Sequence, residues 1–211
     1  MQPDEIEAYF TRSDDTYLFA RWGRPIAPIV FGVDDATLSV VKGAVEAVVR
    51  LAGHEMAEAD PELGANLMFF FFRDWDELPQ VPDLDRLIPD LGPLVARLKA
   101  ADANQYRSFR FDDAGAIQAS FVFLRMDQSL SDIPAETLAL NQMVQTILLW
   151  SDQAFLDHSP LANLPESGGV ILKPEIGDLI RVSYDPILPV VAQDASHALR
   201  IYARMQAAPQ T

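Results

Sequence analysis

An α+β fold, with helices covering a mixed sheet and a mainly helical C-terminal third, is predicted by three features of the chain. Leu67–Phe72, LMFFFF, is an apolar run without alternation, the pattern of a strand buried on both faces. Gln105–Phe111 and Ile117–Arg125, rich in aromatic and β-branched residues, flank Asp112-Asp113-Ala114-Gly115 and read as a hairpin. Beyond the hairpin the apolar residues recur at helical spacing, so strands precede and helices follow.

The elements can be placed in order. Residues 4–11 suit a short helix, and Thr16–Ala20 a strand. Pro25 and Pro28 confine Pro25–Gly32 to an edge or first-position strand, because proline donates nothing to a ladder. Asp34, Asp35 and Thr37 are candidate caps for a helix over Ala36–Ala52, with Val40, Val41, Ala44, Val48 and Leu51 on one face. The Pro- and Asp-rich segment Asp74–Pro93 reads as a surface excursion holding a short helix, and Leu94–Ala101 as helix. Pro134, with Glu136 close behind, starts a helix expected to end near Trp150. His158–Gly169 reads as a loop, Glu175–Tyr184 as helix, and Val191–Met205 as a terminal amphipathic helix. With 211 residues, 49% of them hydrophobic, and no long polar tract, the chain is expected to build one domain over residues 1–211.

Composition removes several function classes. A net charge of -15 opposes nucleic acid and anionic lipid as partners. The absence of cysteine removes thiol nucleophiles, thiolate metal sites and disulfides. No apolar run approaches the ~20 residues of a membrane span. The opening residues MQPDEIEAYF place Asp4, Glu5 and Glu7 where a secretory signal is basic, so the chain as it stands carries no address. The default expectation is cytoplasmic, with the cell envelope as the alternative if a leader has been removed.

The three histidines, His54, His158 and His197, form no HExxH; His54-Glu55 is followed by an acid where the second ligand would stand. His54 reads as a solvated residue at a helix C-terminus and His197 as part of an amphipathic helix. Asp157-His158-Ser159 sets triad-type groups side by side, but a triad is assembled in space, and no Gly-x-Ser-x-Gly elbow is present. Gly168-Gly169 is too short to cradle a phosphate, and the pairs Asp14-Asp15, Asp34-Asp35 and Asp112-Asp113 fall at turns and caps. In NQMVQTILLWSD, residues 141–152, Asn141 and Gln145 share a helix face with Gln142 beside them. That amide row suits a solvated face, a polar contact beneath the hairpin, or a pocket lining.

Three motifs together resemble an uncharacterised bacterial family of unknown function that is similar to zincins, the metallopeptidases carrying HExxH on a central helix. Arg21, Trp22, Pro25 and Ile26 match its Arg-Trp-x-x-Pro-Ile segment. Gln145, Leu149 and Asp152 match its central helix, approximately Glu-Glu-x-Thr-Gln-x-Leu-Gly-Leu-Pro-Asn-Asp, while Asn141 and Gln142 replace the acidic pair. Asp178, Leu179, Tyr184, Asp185, Pro186 and Leu188 match a downstream helix that ends in Tyr-Asp-Pro-x-Leu. The resemblance spans most of the chain and implies a zincin-like mixed sheet whose edge hairpin precedes the central helix.

Loss of both carboxylates removes charged ligands and a base together, so the resemblance implies a degenerate member. The expected function is therefore non-catalytic binding of a peptide or protein partner in the former active-site cleft, without cofactor. Asn141, Gln142 and Gln145 would line the cleft, and Val122 and Leu124 would receive an extended peptide on the Ile117–Arg125 strand, read as an edge. The alternative is a zinc-dependent, peptidase-like hydrolase with displaced ligands drawn from Gln145, Asp152, His158 and Asp178; Gln145, Asp152 and His158 are its catalytic candidates. A third reading is a structural subunit that dimerises through Phe-rich surfaces.

Overall fold

Leu67–Phe72 (β3) lies inside a four-stranded sheet of order β2-β3-β5-β4, where β2 is Pro28–Phe31, β4 Gln105–Phe111 and β5 Ile117–Arg125. The computed structural model describes residues 1–164 and 169–207. Strands β2, β3 and β5 run parallel, while β4 turns back antiparallel on β5 and ends the sheet. The predicted α+β class is correct. The place of β5 is not as read from the sequence: it lies between β3 and β4, with Val122 and Leu124 fully buried, and β4 is the edge strand.

Alternation along the strands sorts side chains into two cores. Leu67, Phe69, Val122 and Leu124 face helices α2 (Asp35–Ala52), α6 (Ala135–Ile147) and α7 (Pro174–Ser183). Met68, Phe70, Phe72, Phe121 and Phe123 face a 3₁₀ turn at Trp75–Gln80, α3 (Leu84–Leu87) and α4 (Leu91–Ala100). The segment read as a surface excursion thus covers a sheet face together with Leu94, Val95 and Leu98 of α4. Its aspartates mark turns, with Asp74 capping the 3₁₀ turn and Asp83 and Asp90 at positive φ, while Trp75, Leu78, Leu84, Ile88 and Leu91 between them are buried. A pattern of polar turns with widely spaced apolar residues conceals such a layer from periodicity.

Helix α2 starts where Asp34 accepts the Thr37 N–H at 2.8 Å and stops at Gly53, whose φ of 65° is left-handed. At the end of β2, Gly32 has φ +85°, and a Cβ there would stand 2.2 Å from the Phe71 carbonyl oxygen.

Helix α6 ends three residues before the expected Trp150, because Leu148 becomes extended and bridges to Arg21. Its last carbonyls find aromatic donors. The Trp150 indole N–H donates to Val144 O, the Trp22 indole N–H to Thr146 O and the Tyr184 hydroxyl to Ile147 O, at 2.8, 2.9 and 2.7 Å.

The N-terminal and C-terminal segments close on each other. Helix α1 (Pro3–Ala8) packs against α8 (Ser196–Ala207), and β1 (Phe19–Ala20) pairs with β8 (Val191–Ala192). The terminal helix therefore begins later than predicted, after Asp194 accepts the Ser196 N–H. Within the expected loop at His158–Gly169 lies β6 (Leu161–Asn163), paired with β7 (Val170–Leu172); residues 165–168, and with them Gly168, lie outside the described residues.

Candidate functional site

The register of β4 on β5 sets Gln105 opposite Leu124, Arg107 opposite Val122 and Phe109 opposite Ser120, all on the face that meets α6. Arg107 is consequently drawn beneath the helix, where Nη1 donates to Gln142 Oε1 at 2.8 Å and Nη2 to Gln145 Oε1 at 2.6 Å. Each glutamine is oriented in turn. Gln142 Nε2 donates to Gln105 Oε1 at 2.7 Å, and Gln145 Nε2 to Asn141 Oδ1 at 3.0 Å. Both amide oxygens are thereby aimed at the guanidinium.

No carboxylate lies within ion-pairing distance of Arg107 among the described residues. Burial pushes its pKa down to about 10, which still leaves the side chain cationic at neutral pH. Arg107 lines a groove of about 490 Å³ between β4, α6 and the segment Trp150–Leu156. Phe155 holds a φ of 64° on that wall, unusual for a bulky side chain, and Leu156 is 68% exposed beside it.

The residues singled out from the sequence divide. Asn141 and Gln145 line the groove. Gln142 is 1% exposed, so it serves Arg107 from within and offers no surface to a partner. Val122 and Leu124 are fully buried on an interior strand and present no surface to a peptide, contrary to the reading of β5 as an edge. Asp152 stands at the groove mouth with its carboxylate occupied by the Ser13 hydroxyl and N–H, and these bonds hold its pKa below the usual carboxylate range.

His158 lines a different cavity, of about 650 Å³, with Tyr9 and Glu175. Asp178 pairs with Arg181 on α7. The four donors named for a displaced zinc site thus lie on α6, the turn after it, a second cavity and α7, and do not converge on one ion. Among the described residues, no three His, Asp or Glu side chains gather as metal ligands.

His54 is not simply solvated: its Nε2 lies 2.9 Å from Arg24 O, its ring packs on Tyr184, and burial lowers its pKa.

Comparison of the chain with models of known protein families, with curated proteins and with solved structures gives no match.

Arg107 is the residue that sequence reasoning missed. The signal was partial: in QYRSFRF the cations at 107 and 110 fall on opposite faces of the strand, so once both sheet faces are covered each must meet a packed layer.

Proposed function

We propose that the chain is a non-catalytic binding domain, of the zincin-like arrangement its sequence resembles, that takes an extended peptide or protein segment along the outer edge of β4. One observation carries the reading: β4 ends the sheet beside an open groove, and no strand pairs with its outer side among the described residues. The Arg125 N–H donates to Asn104 O, which fixes the phase of the ladder. The N–H and C=O of Gln105, Arg107 and Phe109 therefore point outward, available to an added strand. The groove chemistry agrees with binding. Guanidinium and amides donate and accept hydrogen bonds but do not take a proton from water, and the Asp152 carboxylate is engaged by Ser13.

The test is amide hydrogen exchange with a pooled library of acetylated octapeptides, half of them amidated and half with a free C-terminal acid. Slowed exchange at Gln105, Arg107 and Phe109 is expected. Protection confined to other elements, or no binding from the pool, rejects the reading. Phe109→Pro and Phe109→Ala lose the same ring but only the former loses the outward N–H, so the Pro variant alone is expected to lose this protection.

A further inference from the structure

A guanidinium carries five N–H donors, and Arg107 directs two nitrogens at neutral amide oxygens. Among the described residues its charge has no counter-ion, in a chain with 31 acidic and 16 basic residues. Five other partly covered arginines are treated differently. Arg24 pairs with Asp60 and Glu62, Arg125 with Asp102 and Asp127, and Arg204 with Asp185. Arg21 and Arg110 spend N–H groups on main-chain carbonyls and sit over the Tyr184 and Phe121 rings. Arg107 instead faces a groove, clamped by two glutamines whose own amides are fixed by Gln105 and Asn141. A cation held rigid by neutral partners is pre-organised for an anion, because little side-chain freedom remains to be lost on binding.

We infer that Arg107 receives a carboxylate from the segment bound along β4. This rests on the edge-strand reading and names the chemistry of its partner. On an added strand, the residue opposite Arg107 projects to the same face as the guanidinium. An Asp or Glu there, or a chain-terminal carboxylate, reaches the groove. Asp152 at the groove mouth sets a like charge against a dianion, which favours a single carboxylate over a phosphate. With a net charge of -15 the protein does not steer acidic ligands toward itself, so the selectivity comes from this short-range contact.

The probes are acetate and four acetylated pentapeptides, Thr-Val-X-Val-Thr. Three are amidated, with X as Glu, Gln or phosphoserine; the fourth has X as Gln and a free C-terminal acid. The readouts are the dissociation constant and the Arg107 side-chain ¹⁵N resonance. The Glu peptide, or the free acid if the carboxylate is terminal, is expected to bind about tenfold more tightly than the amidated Gln peptide. Gln145→Glu, which places an internal carboxylate on the guanidinium, is expected to reduce that preference to about twofold or less. Arg107→Gln is expected to do the same, which guards against one variant misfolding. Equal binding of all peptides with β4 protected overturns the carboxylate and leaves the edge-strand reading standing. An Arg107 resonance shifted by acetate with no peptide protecting β4 does the reverse. A preference for phosphoserine, or retention of the Glu preference in both folded variants, also overturns the inference.

Discussion

Arg107 and His197 are two buried nitrogen bases handled in opposite ways. Arg107 stays charged and is solvated by amides, so replacing one amide by an acid is expected to strengthen the fold: Gln145→Glu gains about 1 kcal/mol in urea unfolding at neutral pH. That gain vanishes when the new carboxylate is protonated in acid. An unchanged or lowered midpoint at neutral pH would show that the guanidinium is already fully satisfied. His197, 2% exposed, has Nδ1 3.0 Å from the Tyr17 hydroxyl and, among the described residues, no partner on Nε2. Burial first, then Arg200 and Arg21, push its pKa down to about 4 from 6.5. The unfolded imidazole binds its proton near 6.5 and the folded one only near 4, so the unfolded state gains protons first on acidification. Stability contributed by this group is present above pH 6.5 and falls by up to about 3 kcal/mol as pH drops toward 4. His197→Gln is expected to flatten that slope in denaturation series across the window; a slope equal to wild type would place the pH dependence elsewhere.

At the scale of elements, strand existence was more legible than strand order. LMFFFF read as a doubly buried strand and is one. The same unbroken pattern recurs in Ser120-Phe121-Val122-Phe123-Leu124, while QYRSFRF is mixed and polar, so β5 inside and β4 outside were both written in the composition. What hid the order is that β5 pairs with β3 across a long stretch of chain, whereas the hairpin pairing is local and visible. The end of α6 was illegible for a similar reason. No glycine marks it, and its carbonyls are met by Trp22 and Tyr184, residues remote in sequence. The amide row on α6 was legible as a shared face; its cationic partner lay in another element. At the end of β2 the constraint is local and severe. Gly32→Ala is expected to cost about 2–3 kcal/mol, because both the positive φ and the approach of Phe71 O oppose a Cβ. A loss under about 0.5 kcal/mol would mean the strand end shifts freely. Asp34→Ala, by contrast, removes only a helix cap and is expected to cost about 1 kcal/mol.

For the whole molecule, 31 acidic against 16 basic residues leave mutual repulsion that the compact state concentrates. Moderate salt is therefore expected to raise the melting temperature by about 2–4 °C, opposite to a fold held by exposed ion pairs. A falling melting temperature across the salt series would reverse that ranking of forces. The sheet is covered on both faces by helical layers, and the helices over Phe121 and Phe123 all lie between β3 and β4. That half is closed by neighbours in sequence. The other half is not: the strand Phe19–Ala20 waits for Val191–Ala192, and Tyr17 meets His197 across 180 positions of chain. During synthesis Tyr17 and Phe19 leave the ribosome well before the residues that cover them, and they lack His197 and the Val191–Ala192 strand until β8 and α8 emerge. Until then those rings are ready ligands for a holding chaperone, which makes the interval before α8 emerges the one in which this half of the fold is most exposed to aggregation.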